Sequence, residues 1–154
     1  MTERFLYAVE REYAHPIERL WAAWTTASEL QQWYHPTMLD TVADTAVSEP
    51  VVGGNWAIGI DVSMNGFNAY FFGTYLTVEP LVKLEHTLSY TQSLEEFLAR
   101  PADAPAHRIV LDFEARGDSS WVRFTQFGEM PEEQIQATFD GMTSYFDSLE
   151  NYLG

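Results

Sequence analysis

The sequence predicts an α+β fold in which a curved antiparallel sheet of seven strands wraps around one long C-terminal helix, with two short helices after the first strand. Two observations carry most of this. Ile135, Phe139, Met142, Phe146, Leu149 and Leu153 recur at alternating four- and three-residue spacings, the apolar stripe of an amphipathic helix. Most of the preceding chain instead alternates apolar and polar residues with a period of two, the mark of half-buried strands. A long helix with one apolar side has to be covered, and the concave face of a curved antiparallel sheet covers it.

The first strand is expected from Arg4 to Ala14, where Phe5, Tyr7, Val9 and Tyr13 alternate with Arg4, Glu10 and Glu12. Pro16 opens a short helix with Ile17, Leu20, Trp21 and Trp24 on one face, and Thr26-Ala-Ser-Glu29 has the pattern of a capping box for a second helix carrying Leu30 and Trp33. A polar strand over Thr41–Glu49 stops at Pro50 and Gly53-Gly54, and another runs from Asn55 to Val62. Met64-Asn-Gly-Phe67 then reads as an Asn-Gly hairpin with positive φ at both central residues. The return strand runs from Ala69 to about Glu79. Lys83 to Tyr90 follows, with Leu84, His86, Leu88 and Tyr90 on one face. The segment from Gln92 to Ala106 reads as a surface insertion or lid with a short helix over Ser93–Arg100. His107–Ala115 and Ser120–Gly128 form a hairpin about Arg116-Gly-Asp118, with Ile109, Leu111, Phe113, Val122, Phe124 and Gln126 facing one way. Pro131, Glu132 and Glu133 suit the start of the long helix, whose Gly141 implies either close packing or free space beside it.

The 154 residues are expected to form one domain, 1–154, with a substantial core. A formal net charge of −15 with only eight Lys and Arg opposes nucleic acid and anionic membranes as partners. The apolar runs are too short for a membrane span and the N-terminus has no signal-peptide plan, so a soluble, cytoplasmic protein is expected. Without cysteine there is no disulfide, thiol catalyst or Cys-based zinc site. No nucleophile elbow, phosphate loop or His–carboxylate metal spacing occurs, so the expectation is no catalytic residue, no metal and no cofactor, with enzymatic activity left open.

His15-Pro-Ile-Glu-Arg-Leu-Trp21, Thr26 to Trp33, Val52-Gly-Gly-Asn-Trp56, Gly73-Thr-Tyr-Leu-Thr-Val-Glu-Pro80, Val122 to Gly128 and the terminal helix occur in an order that resembles the START-like (SRPBCC, helix-grip, Bet v 1-like) superfamily. Within it, the chain is similar to the family of the activator of heat-shock-protein-90 ATPase C-terminal domain. The chain differs in its longer 92–106 segment and in Asp140-Gly-Met142, where related sequences often carry a Gly-Trp pair. The resemblance implies a cavity between sheet and helix for an apolar or aromatic small molecule, such as a lipid.

Trp33, His35, Trp56, Tyr70, His86, Tyr90, Gln126, Phe139 and Met142 are the expected lining, the aromatics for area and the polar side chains for orientation. His86 is also readable as a core histidine, and Gln126 as an amide bonded only to backbone. Two alternatives stand beside ligand binding. One is a chaperone-cofactor-like module that meets a protein partner through its acidic surface, a stress-response role that the resemblance implies. The other is a cyclase-like enzyme with His86 as acid or base beside Tyr90. Tyr70 to Phe72 fit a homodimer patch or two-sided sheet packing equally well.

Overall fold

A computed structural model describes residues 3–154. In chain order these form β1 (Arg4–Tyr13), α1 (Ile17–Thr25), α2 (Ala27–Trp33), β2 (Asp40–Thr41), β3 (Val47–Ser48), β4 (Asn55–Val62), β5 (Phe67–Glu79), β6 (Lys83–Thr91), α3 (Leu94–Ala99), β7 (His107–Arg116), β8 (Ser119–Gly128) and α4 (Glu132–Leu153). The strands run antiparallel in the order β1-β8-β7-β6-β5-β4-β2, with β3 also on β4. This is the expected helix-grip architecture: a curled sheet whose concave face holds α4, closed at one end by α1 and α2.

The strand expected over Thr41–Glu49 is interrupted, leaving two short pieces on β4. Asp44 takes a left-handed conformation (φ 60°) between them. The Gln31 side chain substitutes for the missing ladder, its amide N–H groups donating to Thr41 Oγ1 and the Val42 carbonyl while its oxygen accepts from the Thr45 and Ala46 amides at 3.1 and 2.9 Å. The β4–β5 turn also departs from expectation. Ser63–Asn65 form a 3₁₀ turn, and positive φ occurs at Gly66 alone (90°). At the start of α2, Thr26 makes no side-chain cap bond, the Glu29 amide donating to the Thr26 carbonyl instead, and the Glu29 carboxylate is engaged by Arg19 and by the Tyr152 hydroxyl. A bulge between Phe5 and Tyr7 turns Phe5 outward, where 58% of it is exposed, whereas Tyr7 stays on the concave face.

Two apolar clusters follow from strand alternation. The larger lies between the concave face and the helices, with Leu20, Trp24, Trp33, Phe124, Phe146 and Leu149 at its centre. The smaller lies on the convex face, where Ala57, Tyr70 and Phe72 are covered by Phe97 of α3. Ser93 caps that helix by accepting from the Glu96 amide at 3.1 Å. Tyr70 and Phe72 are therefore buried by two-sided sheet packing within the chain.

Candidate functional site

The apolar stripe of α4 lies across the sheet, but it is not sealed along its whole length. Phe146 and Leu149 are fully buried, and Phe146 packs against Trp24 and Tyr13 at centroid distances of 5.9 and 6.5 Å. The Ser148 hydroxyl donates to the Trp33 carbonyl at 2.6 Å, fixing this half of the helix to the end of α2. Towards its N-terminus the helix separates from the sheet and leaves a cavity of about 1100 Å³. The α4 wall of this cavity is Thr138, Gly141, Met142 and Tyr145. A Cβ at Gly141 would meet nothing within 4 Å, so this glycine borders free space. Opposite stand Tyr7 of β1, Phe71 of β5, Leu88 of β6 and Gln126 of β8. Tyr34 closes the inner end, and Tyr90, Pro105, Ala106, His107 and the 127–130 segment line the rest.

A polar chain crosses three neighbouring strands on the sheet side. The Tyr7 hydroxyl donates to Gln126 Oε1 at 2.6 Å, Gln126 Nε2 lies 2.7 Å from His107 Nδ1, and His107 Nε2 lies 3.0 Å from the Glu129 carbonyl. An amide nitrogen only donates and a carbonyl only accepts, so imidazole Nδ1 accepts and Nε2 carries the proton. Gly128 makes room for this ring, since a Cβ there would lie 2.4 Å from it. Every polar group in the chain thereby has a partner, which limits the cost of burying Tyr7 and Gln126, each 5% exposed.

Three phenols converge on the same space. Burial raises the pKa of Tyr7, Tyr34 and Tyr145, and for Tyr34 the neighbouring Tyr145 and Tyr7 oppose ionisation further. The Tyr34 and Tyr145 rings meet edge to face at 4.9 Å. Tyr7 has Gln126 as its acceptor, whereas the hydroxyls of Tyr34 and Tyr145 bond to no protein atom among the described residues. The site can therefore enclose a largely apolar body and donate hydrogen bonds to it at the inner end.

The family model for the activator of Hsp90 ATPase homolog 1-like protein matches residues 14–154. The chain belongs to this AHSA1-like family. Solved structures share the fold across nearly the whole chain. The AHSA1 protein from Silicibacter pomeroyi is 20% identical, with 99% of this chain and 97% of that chain covered and a TM-score of 0.77. A protein from Arthrobacter aurescens is 18% identical, with 95% and 84% covered and a TM-score of 0.76. One from Chromobacterium violaceum is 18% identical, with 94% of each chain covered and a TM-score of 0.74. No curated protein matches this sequence.

In this AHSA1-like chain the expected lining residues fall into separate places. Tyr90, Gln126 and Met142 line the cavity, with Tyr90 half exposed and its hydroxyl accepting from Gln92. Phe139 lies beside it, edge-on to Tyr7 at 6.3 Å. Trp33, Trp56 and His86 are in the packed core instead. The Trp33 indole N–H donates to the Ala23 carbonyl at 2.8 Å, and Trp56 stacks on His86 at 4.3 Å. His86 donates through Nδ1 to the Thr87 carbonyl at 2.7 Å, and burial lowers its pKa to about 4, so it is a neutral core histidine and does not share a void with Tyr90. Tyr70 is on the convex face, stacked on Phe97 at 4.7 Å. His35 is in the corner after α2, its Nδ1 2.7 Å from the Pro36 carbonyl and outside the cavity lining.

Tyr7, Tyr34, His107 and Tyr145 were absent from the expected lining. Strand parity places Tyr7 on the inner face, and His107 shares parity with Ile109 and Leu111, so both carried a usable signal. On α4, Thr138, Gly141 and Tyr145 recur at three- and four-residue spacings and form a second stripe beside the apolar one. Its small and polar residues hide it from a search for hydrophobic periodicity.

Proposed function

We propose that this protein binds an apolar or aromatic small molecule between the sheet and the N-terminal half of α4. The observation that supports this is the cavity of about 1100 Å³, whose walls are mainly apolar and whose few polar groups gather at the inner end and along one strand-crossing chain. That volume is at or above the roughly 300–1000 Å³ of typical small-molecule sites. An acid–base role for His86 has no geometric support, so the reading is of a binding domain. Native mass spectrometry of the purified full chain tests it, with a retained small molecule as the expected result. Gly141→Phe, which projects a ring into the void, should abolish that retention while preserving the circular dichroism spectrum. Failure of any apolar compound in a broad panel to raise the melting temperature would remove this reading.

A second reading, a protein-interaction module of the chaperone-cofactor type, is favoured by the formal net charge of −15. Such a surface would attract a basic patch on a partner at long range, and screening would weaken the attraction. Capture of a partner that survives high salt would count against this mode. Either role is compatible with a cytoplasmic protein.

A further inference from the structure

Resting on the ligand-cavity reading above, we propose that the cavity selects uncharged guests bearing a carbonyl oxygen, such as ketones, esters or quinones, and discriminates against carboxylates, sulfonates and phosphates. The first support is the distribution of charge. Among the described residues no Lys or Arg lines the cavity, and the ionised side chains that do are Glu3 and Glu129, both exposed at the mouth. Two arginines near the mouth are already engaged. Arg108 pairs with Glu3 at 2.9 Å and Glu85 at 2.8 Å and lies over the Phe127 ring, while Arg4 donates to the Met130 carbonyl at 2.9 Å. An anionic guest would meet like charge on entry and would then be buried without a counter-ion, which is strongly unfavourable. A cationic head at the inner end would likewise find no carboxylate.

The second support is the supply of donors. Tyr7, Gln126 and His107 satisfy one another, which leaves the hydroxyls of Tyr34 and Tyr145 as donors on the wall that no protein acceptor among the described residues claims. A carbonyl oxygen has two lone pairs and can accept from both. Burial keeps both phenols protonated through the neutral range, so they remain donors there. A guest without an acceptor leaves two O–H groups unbonded in an apolar space, which costs it affinity relative to the ketone.

Fluorescence titration of the full chain with three aromatic probes tests the proposal: a neutral propionyl-dimethylaminonaphthalene ketone, the anionic anilinonaphthalene sulfonate, and the hydrocarbon pyrene. The ketone should bind saturably, at least about ten-fold tighter than the sulfonate. Tyr34→Phe and Tyr145→Phe should each weaken the ketone about five-fold, the loss expected for one neutral hydrogen bond, and should not weaken pyrene, which gains if anything when an unbonded hydroxyl is removed. Sulfonate binding as tight as the ketone overturns the selectivity, and this comparison needs no variant to fold. Ketone affinity unchanged in both variants overturns the role of the phenols, even when the cavity binds all three probes. Binding of none of the three overturns the underlying cavity reading and the selectivity with it.

Discussion

The two halves of α4 have the same apolar periodicity and opposite surroundings. In the C-terminal half, Phe146 and Leu149 are fully buried, with Trp24 and Tyr13 against Phe146 and a Ser148 bond to α2. In the N-terminal half, Ile135 and Phe139 are only half-buried and Gly141 faces space. The difference arises on the other side. Short helices α1 and α2 fill the sheet's concavity beneath the C-terminal half, whereas nothing comparable lies beneath the other. Hydrophobic spacing therefore identifies the face a helix turns inward, and the facing elements decide whether that face packs or encloses a void.

The contrast can be broken most sharply at Phe146. Phe146→Ala should cost about 3–5 kcal/mol, read as a lower urea midpoint, while Phe139→Ala should cost only about 1 kcal/mol. Equal losses would mean that both halves are packed alike. His86 tests the sealed side through pH. A histidine of ordinary pKa 6.5 takes up its proton before His86, held at about 4, does so, and between these values the unfolded chain holds the extra proton. Stability is thus complete above about pH 6.5 and is lost as pH falls towards 4, by up to about 3 kcal/mol. His86→Phe should remove this part of the pH dependence in urea titrations, and an unchanged profile would show that water reaches the ring. Ser148→Ala should cost about 1 kcal/mol by leaving the Trp33 carbonyl with one partner fewer, read from the same midpoint. Gly141→Ala should act in the opposite direction, stabilising by up to about 1 kcal/mol in thermal melts, because the methyl enters free space and helix propensity improves. Destabilisation there would mean the open half is closer to its neighbours than the structure shows.

The long strands, the terminal helix and the inner faces of β7 and β8 were legible in the sequence because alternation and the four–three spacing report directly on burial. Local chemistry was less so. The 41–49 strand broke where Gln31, a residue from another element, supplies backbone partners, and the capping box at Thr26 gave way to a bond from the Glu29 amide to the Thr26 carbonyl, with the Glu29 carboxylate taken by partners that the tertiary fold brings in. Among the site residues, Gln126 and Met142 follow from parity and spacing. Trp33 and Trp56 went the other way: residues flanking a chain break can line an opening or fill a corner equally well, and here they are in the core. Tyr34 and Tyr145 were hidden because a tyrosine's ring fits the apolar pattern of a core, and only the third dimension shows that its hydroxyl faces the cavity without a partner among the described residues.

The bond from Ser148 to α2 has a mechanical consequence. A rod of 22 residues, roughly 33 Å long, is clamped near its tail by that bond and by the buried Phe146 and Leu149, whereas towards its head Ile135 and Phe139 are half-buried and the Arg4–Glu132 pair is exposed. Bending of this rod would concentrate near Gly141, a helical glycine with open space beside it, while the short link from β8 keeps the head attached to the sheet. A small sway of the head would then change the width of the cavity beside it without disturbing the clamp.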